Sequence, residues 1–369
     1  MHTCGSEWQL DIFTAGLPLY LIVMQHDEAR PSKRQRCLRL ADVRMSKNQW
    51  DAIDRSLDTL KNKKRKSSYR RDAQDLKQAT SPYGKLVESV LLEGKYFTYV
   101  NPQVLLYEAC SKNEEFAIMI RDSLKSGQEP RVVLYGDECT PGNPLRPDKG
   151  RKVFCVYWTL TCIPSWFRSR ENGWFYYGSM LVKDLDELTD GISTLYMHVI
   201  EKFFDDSAVC RNFATLGLRL PLGPKGLSLG QTNHFHLKTG RMICIQDERA
   251  FKFMLTVKGS SGTRPCFKCA NVVANLRIEA ADDLQDVRTC KFQDCILHTN
   301  ESFYKMTEEL TAAASTTSAA NFERLEQAFG LNHRPQSLLW HHHHRKYFHP
   351  VIDSMFDPMH CILGSGEIN

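Results

Sequence analysis

The chain has 369 residues, of which 42% are hydrophobic and 25% charged, and a formal net charge of +5. This is enough chain for two or three units with a sizeable core, and the balance excludes a largely disordered or membrane-embedded protein. Thirteen cysteines are scattered along it. The apolar segment 12–24 is too short to span a bilayer, follows acidic Glu7 and Asp11, and has no small-residue cleavage site after it, so neither secretion nor a membrane partner is expected. A nuclear or cytoplasmic protein with reduced cysteines follows, in which close cysteine pairs point to metal before disulfide.

Residues 1–80 form a basic, partly disordered N-terminal region. Lys33, Arg34, Arg36, Arg39 and Arg44 lead to the run 61–71, KNKKRKSSYRR, with Lys63, Lys64, Arg65, Lys66, Arg70 and Arg71. Between the clusters, Ser46 and Gln49 have capping-box spacing, and Trp50, Ile53, Leu57 and Leu60 recur at helical intervals. Two readings stay open: a nucleic-acid grip that doubles as a nuclear address, and a solvated basic linker. Residues 81–128 read as a helical packing unit, with apolar Leu105, Leu106, Ala109, Phe116, Ile118, Met119 and Leu124.

Residues 129–258 carry the fold argument. Val132, Val133, Leu134 and Tyr135 make a short buried strand, with Asp137 and Glu138 expected just past its end and turn formers from Thr140 to Asn143. The plainer reading is an acidic turn. Two more strands are predicted at 153–160 and 174–182, then an amphipathic helix over about 184–204 on Leu188, Ile192, Leu195, Val199 and Phe203. After short strand candidates near 216–220, a fourth strand at 242–245 runs into Gln246, Asp247 and Glu248. Strand, strand, strand, helix, strand, with an acid beyond the first and fourth strands, is the order of a ribonuclease H-like α/β domain with a mixed sheet. There the first and fourth strands are neighbours and their terminal carboxylates face each other.

Such carboxylates suit phosphodiester chemistry by two Mg²⁺ ions about 3.5–4 Å apart, one activating the attacking oxygen and one stabilising the leaving oxygen. Asp137 and Asp247 are the catalytic candidates. Strand alternation turns Glu138 and Glu248 elsewhere and ranks them second. A glycosidase-like pair of Asp137 with Glu138 is excluded on the same ground, since adjacent strand residues cannot flank one bond.

Residues 259–300 form a cysteine-rich knuckle. Cys266 and Cys269 make a C-x-x-C on Gly- and Pro-rich sequence, and Cys290, Cys295 and His298 lie downstream. Two short-spaced ligand pairs about twenty residues apart suit a tetrahedral structural zinc. Cys290 with either Cys295 or His298 completes the set, and reduced core cysteines are the alternative. Residues 301–345 are a helical or low-complexity linker, with a short helix on Phe322, Leu325 and Phe329 stopped by Gly330. In WHHHHRKYFHP from Trp340, four adjacent histidines cannot all face one metal; a basic aromatic loop near nucleic acid and an exposed polar loop are the two readings. Residues 346–369 are expected to return a core strand.

The succession of GDE-x-x-PGN, an Asp after the fourth strand, KGSSGTRPCFKC and the closing FDPMHCILG resembles the DDE transposases of the CACTA/Plavaka type and the related Kyakuja-Dileera-Zisupton group. The resemblance covers residues 131–364. It implies Asp137 and Asp247 as the first two metal-site aspartates, Cys266 and Cys269 as the knuckle, and a D-x-x-H element at Asp357 and His360, followed by Leu363 and Gly364. The family's third acidic ligand comes from a helix beyond that element. Glu367 is the only later acid before Asn369 and lies too close to the strand, so a fragment or a degenerate copy is expected. Two functions follow: Mg²⁺-dependent DNA cleavage and strand transfer with a zinc-held knuckle, or a non-catalytic zinc and DNA-binding protein derived from such an enzyme. A homo-oligomer is open in either.

Overall fold

In the computed structural model of the chain, the described residues are 80–125, 127, 129–140, 152–170, 173–204, 213–224, 233–273 and 292–357. The basic residues Lys63, Lys64, Arg65, Lys66, Arg70 and Arg71, together with Cys290, His360, Leu363, Gly364 and Glu367, lie outside them. The chain divides into two compact units, Met1–Asp184 with Glu201–Met242, and Leu185–Ile200 with Ile243–Asn369.

The described part of the first unit begins with two short paired strands, β1 (Thr80–Ser81) and β2 (Gly84–Lys85), and a hairpin of β3 (Val87–Leu92) and β4 (Lys95–Val100). Glu93 and Gly94 turn the hairpin, with φ of 44° and 84°. Two successive positive-φ residues give a turn whose twist matches that of the flanking strands. The helical reading of 81–128 therefore fails in its first part and holds in the rest, as α1 (Pro102–Lys112) and α2 (Glu114–Leu124). Both helices have asparagine caps. Asn101 accepts from the N–H groups of Gln103 and Val104 at 3.1 and 3.3 Å, and Asn113 from that of Phe116 at 2.9 Å.

Three longer strands follow: β5 (Val132–Cys139), β6 (Val153–Leu160) and β7 (Phe175–Leu181), with a short helix α3 (Ser165–Arg168) between the last two. The predicted long helix is two pieces, α4 (Val182–Asp186) and α5 (Ile192–Phe204). Gly191, at φ 52°, interrupts them in the left-handed region. β8 (Leu218–Pro221) and β9 (His234–Leu237) then pair as a separate two-stranded sheet, and β10 (Met242–Gln246) follows; most of α5 and all of β10 but Met242 belong to the second unit. The core of the first unit is aromatic. Trp158, fully buried, packs with ring centroids 4.8 Å from Phe175, 5.2 Å from Phe203 and 6.2 Å from Phe213.

The second unit holds α6 (Glu248–Met254), α7 (Asn300–Ala314), α8 (Ala319–Phe329), a 3₁₀ turn (His342–Lys346) and β11 (Ser354–Phe356), which pairs parallel with β10. The region 301–345, read as helix or linker, is helical in α7 and α8, and Gly330 closes α8 at φ 70° as its sequence suggested. Phe251, Phe267, Phe303 and Phe356 make its aromatic core, in contacts of 5.5–6.4 Å.

The fold class is α/β, with a mixed seven-stranded sheet in the order β11-β10-β5-β6-β7-β4-β3. Pairing is antiparallel from β5 through β6, β7 and β4 to β3, and parallel between β10 and β11. No helix among the described residues is long and apolar enough to cross a membrane.

Gly178 lies where β7 meets both β4 and β6, opposite Tyr99 and Val156. A Cβ there would sit 2.7 Å from Phe97 Cζ and 3.0 Å from the Thr98 carbonyl oxygen. Gly178→Ala is therefore expected to destabilise the fold by about 1–3 kcal/mol, the usual cost of overpacking. The shift in the urea midpoint, at unchanged slope, measures it.

Candidate functional site

β5 does not end at Tyr135. Its pairing with β6 continues through Asp137↔Cys155 to Cys139↔Val153, so both acidic residues lie inside the strand rather than past it. Gly136 continues the ladder instead of opening a turn. Because side chains alternate, Tyr135, Asp137 and Cys139 share one face while Glu138 takes the other, the separation expected of the acidic pair.

Asp137 is held on two sides. The Tyr135 hydroxyl donates to Oδ2 at 3.2 Å, and the Glu138 N–H donates to Oδ1 at 2.7 Å. Glu138 forms an ion pair with Lys152. The face around Asp137 continues across β6 and β7 through Cys155, Tyr157 and Tyr176, with rings of Tyr135 and Tyr157 at 6.5 Å and of Tyr157 and Tyr176 at 5.8 Å. Burial raises the Tyr157 and Tyr176 phenols far above their ordinary range, so these neighbours stay neutral beside the carboxylate.

In the second unit, Asp247 follows β10 directly and serves as the N-cap of α6, accepting the Ala250 N–H on Oδ1 at 2.5 Å. Glu248 is exposed in the first turn of that helix. Asp357 directly follows β11, and its N–H donates to the Gln246 carbonyl at 2.8 Å. The parallel strands thus end side by side with one aspartate each. Asp357 is 6% exposed. Ranked second from the sequence, it shares a strand-end edge with Asp247, which a short D-x-x-H match alone did not reveal.

Around the C-x-x-C the structure shows a short backbone pairing and no metal-holding group among the described residues. The backbones pair across it, Ala270 N–H to the Ile296 carbonyl at 2.7 Å and His298 N–H to the Lys268 carbonyl at 2.8 Å. That pairing brings Cys295 to the C-x-x-C, and the Cys269 thiol makes thiol hydrogen bonds with both Cys266 and Cys295. Burial first, then these two thiols, push Cys269 up to about 12. His298 has its Nδ1 3.2 Å from the Ser302 hydroxyl, leaving Nε2 as the ring nitrogen available to a metal. Burial and Arg264 lower its pKa, which favours the neutral, ligating form. Among the described residues no group of three or more His, Cys, Asp or Glu side chains is arranged to hold a metal ion.

Two residues between the cysteines were not singled out from the sequence. Phe267 enters the aromatic core of the unit. Lys268 donates to the Ser354 carbonyl on β11, with its ammonium 5.8 Å from the Phe356 ring centroid. Burial lowers the Lys268 pKa, opposed by the nearby Cys266 and Asp353. Asp353, fully buried, accepts the His349 N–H at 2.9 Å. An apolar-to-polar alternation gives no signal for either contact.

The histidine run is split by its 3₁₀ geometry: His342 and His343 are exposed and His344 is 2% exposed. Arg345 stacks over Tyr304 at 4.2 Å and pairs with Glu308 at 3.0 Å. Part of the run is therefore buried, unlike the exposed polar loop of the plainer reading.

No protein-family model matches the chain, and no curated protein matches it.

The cap at Asp247 is testable apart from any chemistry. Asp247→Ala should cost about 0.5–2 kcal/mol of stability, whereas Asp247→Asn, which caps as well, should change it far less. Chemical denaturation of the two variants separates capping from charge, and equal loss in both would assign the cost to the charge.

Proposed function

We propose that this chain is a DDE-type transposase or nuclease core that cuts and joins DNA through carboxylate-held Mg²⁺. What supports the reading is the order of strands. Taken as first to fifth, β5, β6, β7, β10 and β11 stand in the sheet as fifth, fourth, first, second, third, with the first three antiparallel and the last two parallel. Helix α5 falls between the third and fourth. This order is the one expected of a ribonuclease H-like domain, in which the carboxylates would come from the strand ends that here carry Asp137 on β5, Asp247 after β10 and Asp357 after β11.

In this proposal Asp137 and Asp247 are the metal-holding carboxylates, and Asp357 is the candidate to add to them. Bound Mg²⁺ would supply an activated water or hydroxyl and neutralise the leaving oxygen. The protein's own work is to fix the carboxylates: the Tyr135 hydroxyl and the Glu138 N–H hold Asp137, and the Ala250 N–H holds Asp247. A structural Zn²⁺ would be held by Cys266, Cys269 and Cys295, with Cys290 or His298 as the fourth ligand. DNA is the partner, gripped by the basic segment from Lys63 to Arg71, and the nucleus is the place where it would meet that partner.

A second reading, a non-catalytic zinc and DNA-binding protein, is favoured by one observation. The Asp247 carboxylate already has a structural task as a helix cap, which it would retain in a protein with no activity.

The two readings part on DNA nicking in Mg²⁺. Asp137→Asn and Asp247→Asn should each lower it by about a thousandfold, equivalent to the several kcal/mol contributed by a correctly held ion, and leave DNA binding nearly intact. Residual nicking equal in the variants and the unaltered chain would overturn the enzyme reading. Elemental analysis should find about one zinc per chain, lost together with thermal stability in Cys266→Ser/Cys269→Ser. Full zinc content in that variant would remove the knuckle assignment.

A further inference from the structure

Beside Asp137 lies a pair of thiols that the proposed chemistry does not use. The Cys139 and Cys155 sulfurs are 3.5 Å apart. They are diagonal neighbours across β5 and β6, since Cys139 pairs with Val153 and Cys155 with Asp137. Cys139 is the last residue of β5 and Val153 the first of β6, so the diagonal spans the final rungs of the ladder. A disulfide bond is about 2.05 Å long, so the sulfurs would close by about 1.5 Å. Rotation about the two Cα–Cβ bonds and a small added twist of the last rung can provide that.

Access is unequal. Cys155 is 3% exposed, whereas Cys139 is only half-buried and offers a small reagent the first contact. Cys110 and Cys244 are fully buried and lack that access.

We propose that Cys139 and Cys155 are a reversible redox modification site, converted to a disulfide by a peroxide. The Cys139 sulfur attacks one peroxide oxygen and the O–O bond breaks. Cys139 becomes a sulfenic acid, and the other oxygen leaves with the thiol proton as water or alcohol. The Cys155 sulfur then attacks the Cys139 sulfur. The S–S bond forms, the S–O bond breaks, and the departing hydroxide takes the Cys155 proton as water. Two thiols lose one electron pair in total and the peroxide gains it. A dithiol reductant reverses the change by thiol–disulfide exchange.

The position gives the modification a consequence. Cys139 stands two residues beyond Asp137 on the same face, and Cys155 stands directly opposite it. Closing the bond draws the end of β5 toward β6 at the rung that carries the carboxylate, and so shifts the Tyr135 and Glu138 contacts that hold it. This consequence rests on the proposed DNA-cutting function; the disulfide does not.

The purified chain is treated with limiting hydrogen peroxide, its remaining thiols are alkylated, and the digest is read by mass spectrometry. The expected product is a Cys139–Cys155 linked peptide that dithiothreitol removes. In Cys155→Ser, Cys139 should instead stop at the sulfenic acid and be trapped by a carbon nucleophile such as dimedone. Recovery of both residues as alkylated thiols, at peroxide levels that oxidise Cys266 or Cys269, overturns the proposal. So does linkage of Cys139 to another cysteine.

Nicking is then compared before and after oxidation. A loss of about a hundredfold, the penalty of a misplaced catalytic group, restored by dithiothreitol and absent in Cys155→Ser, supports the coupling to Asp137. A mapped disulfide with unchanged nicking overturns the coupling. A mapped disulfide in a protein that nicks in neither state supports the thiol assignment and counts against the enzyme reading.

Discussion

The pairing of β5 with β6 is the constraint on which the first unit depends. It runs without a break from Val132↔Leu160 to Cys139↔Val153. Because the side-chain period of a strand is two, this register decides the role of every residue on both faces. One face sends Leu134 and Trp158 into an aromatic core with Phe175, Phe203 and Phe213. The other gathers Tyr135, Asp137, Cys139, Cys155 and Tyr157. A slip of β5 by one residue would turn Asp137 toward the aromatic core and Leu134 away from it, at a cost no local contact could offset.

The second unit solves a different problem, that of holding an irregular loop without regular structure. The C-x-x-C segment is tied at two points by the residues between its cysteines. Phe267 packs among Phe251, Phe303 and Phe356, and Lys268 reaches the Ser354 carbonyl on β11. Backbone pairing with 296–298 adds a third tie. The loop is thus anchored by core packing and hydrogen bonds before any ion is considered. Lys268 also links the knuckle to the strand that leads into Asp357, so a disturbance of the thiols is mechanically close to that carboxylate.

Legibility from sequence varied with the kind of signal. The strand 153–160 was readable to the residue, because an apolar run rich in aromatics is buried on both faces and has no helical competitor of that length. The end of β5 was misplaced, since Gly136 followed by two acids resembles a turn, whereas pairing with β6 and the alternation of faces accommodate both acids within the strand. The β3–β4 hairpin went unseen in a segment read as helix. Its signal was the Glu93 and Gly94 pair between Val87–Leu92 and Lys95–Val100, with only Gly94 suggesting positive φ. The long helix was divided at Gly191, whose conformation a hydrophobic period cannot report. The separation of Asp137 from Glu138 followed from alternation alone, but the Tyr135 hydroxyl, the Cys155 partner and the Lys268 tie depend on register and tertiary packing, which one sequence does not display.

The capping role of Asp247 bears on how its two duties coexist. An ionised carboxylate has about four lone-pair directions on two oxygens. The cap uses Oδ1, bonded to the Ala250 N–H, at the first turn of a helix where a negative charge is already favoured. The hydrogen bond therefore fixes the plane of the carboxylate without occupying both oxygens. A metal-holding aspartate needs that restraint, because an unrestrained side chain must lose rotamer entropy each time an ion binds. The cap and the proposed metal site then make the same demand of the residue, namely one orientation at the end of β10. In an inactive descendant the cap alone would still favour an aspartate or asparagine there, so the residue by itself does not distinguish the two readings. The charge does: a cap works equally well with a neutral amide, and a metal-holding carboxylate does not.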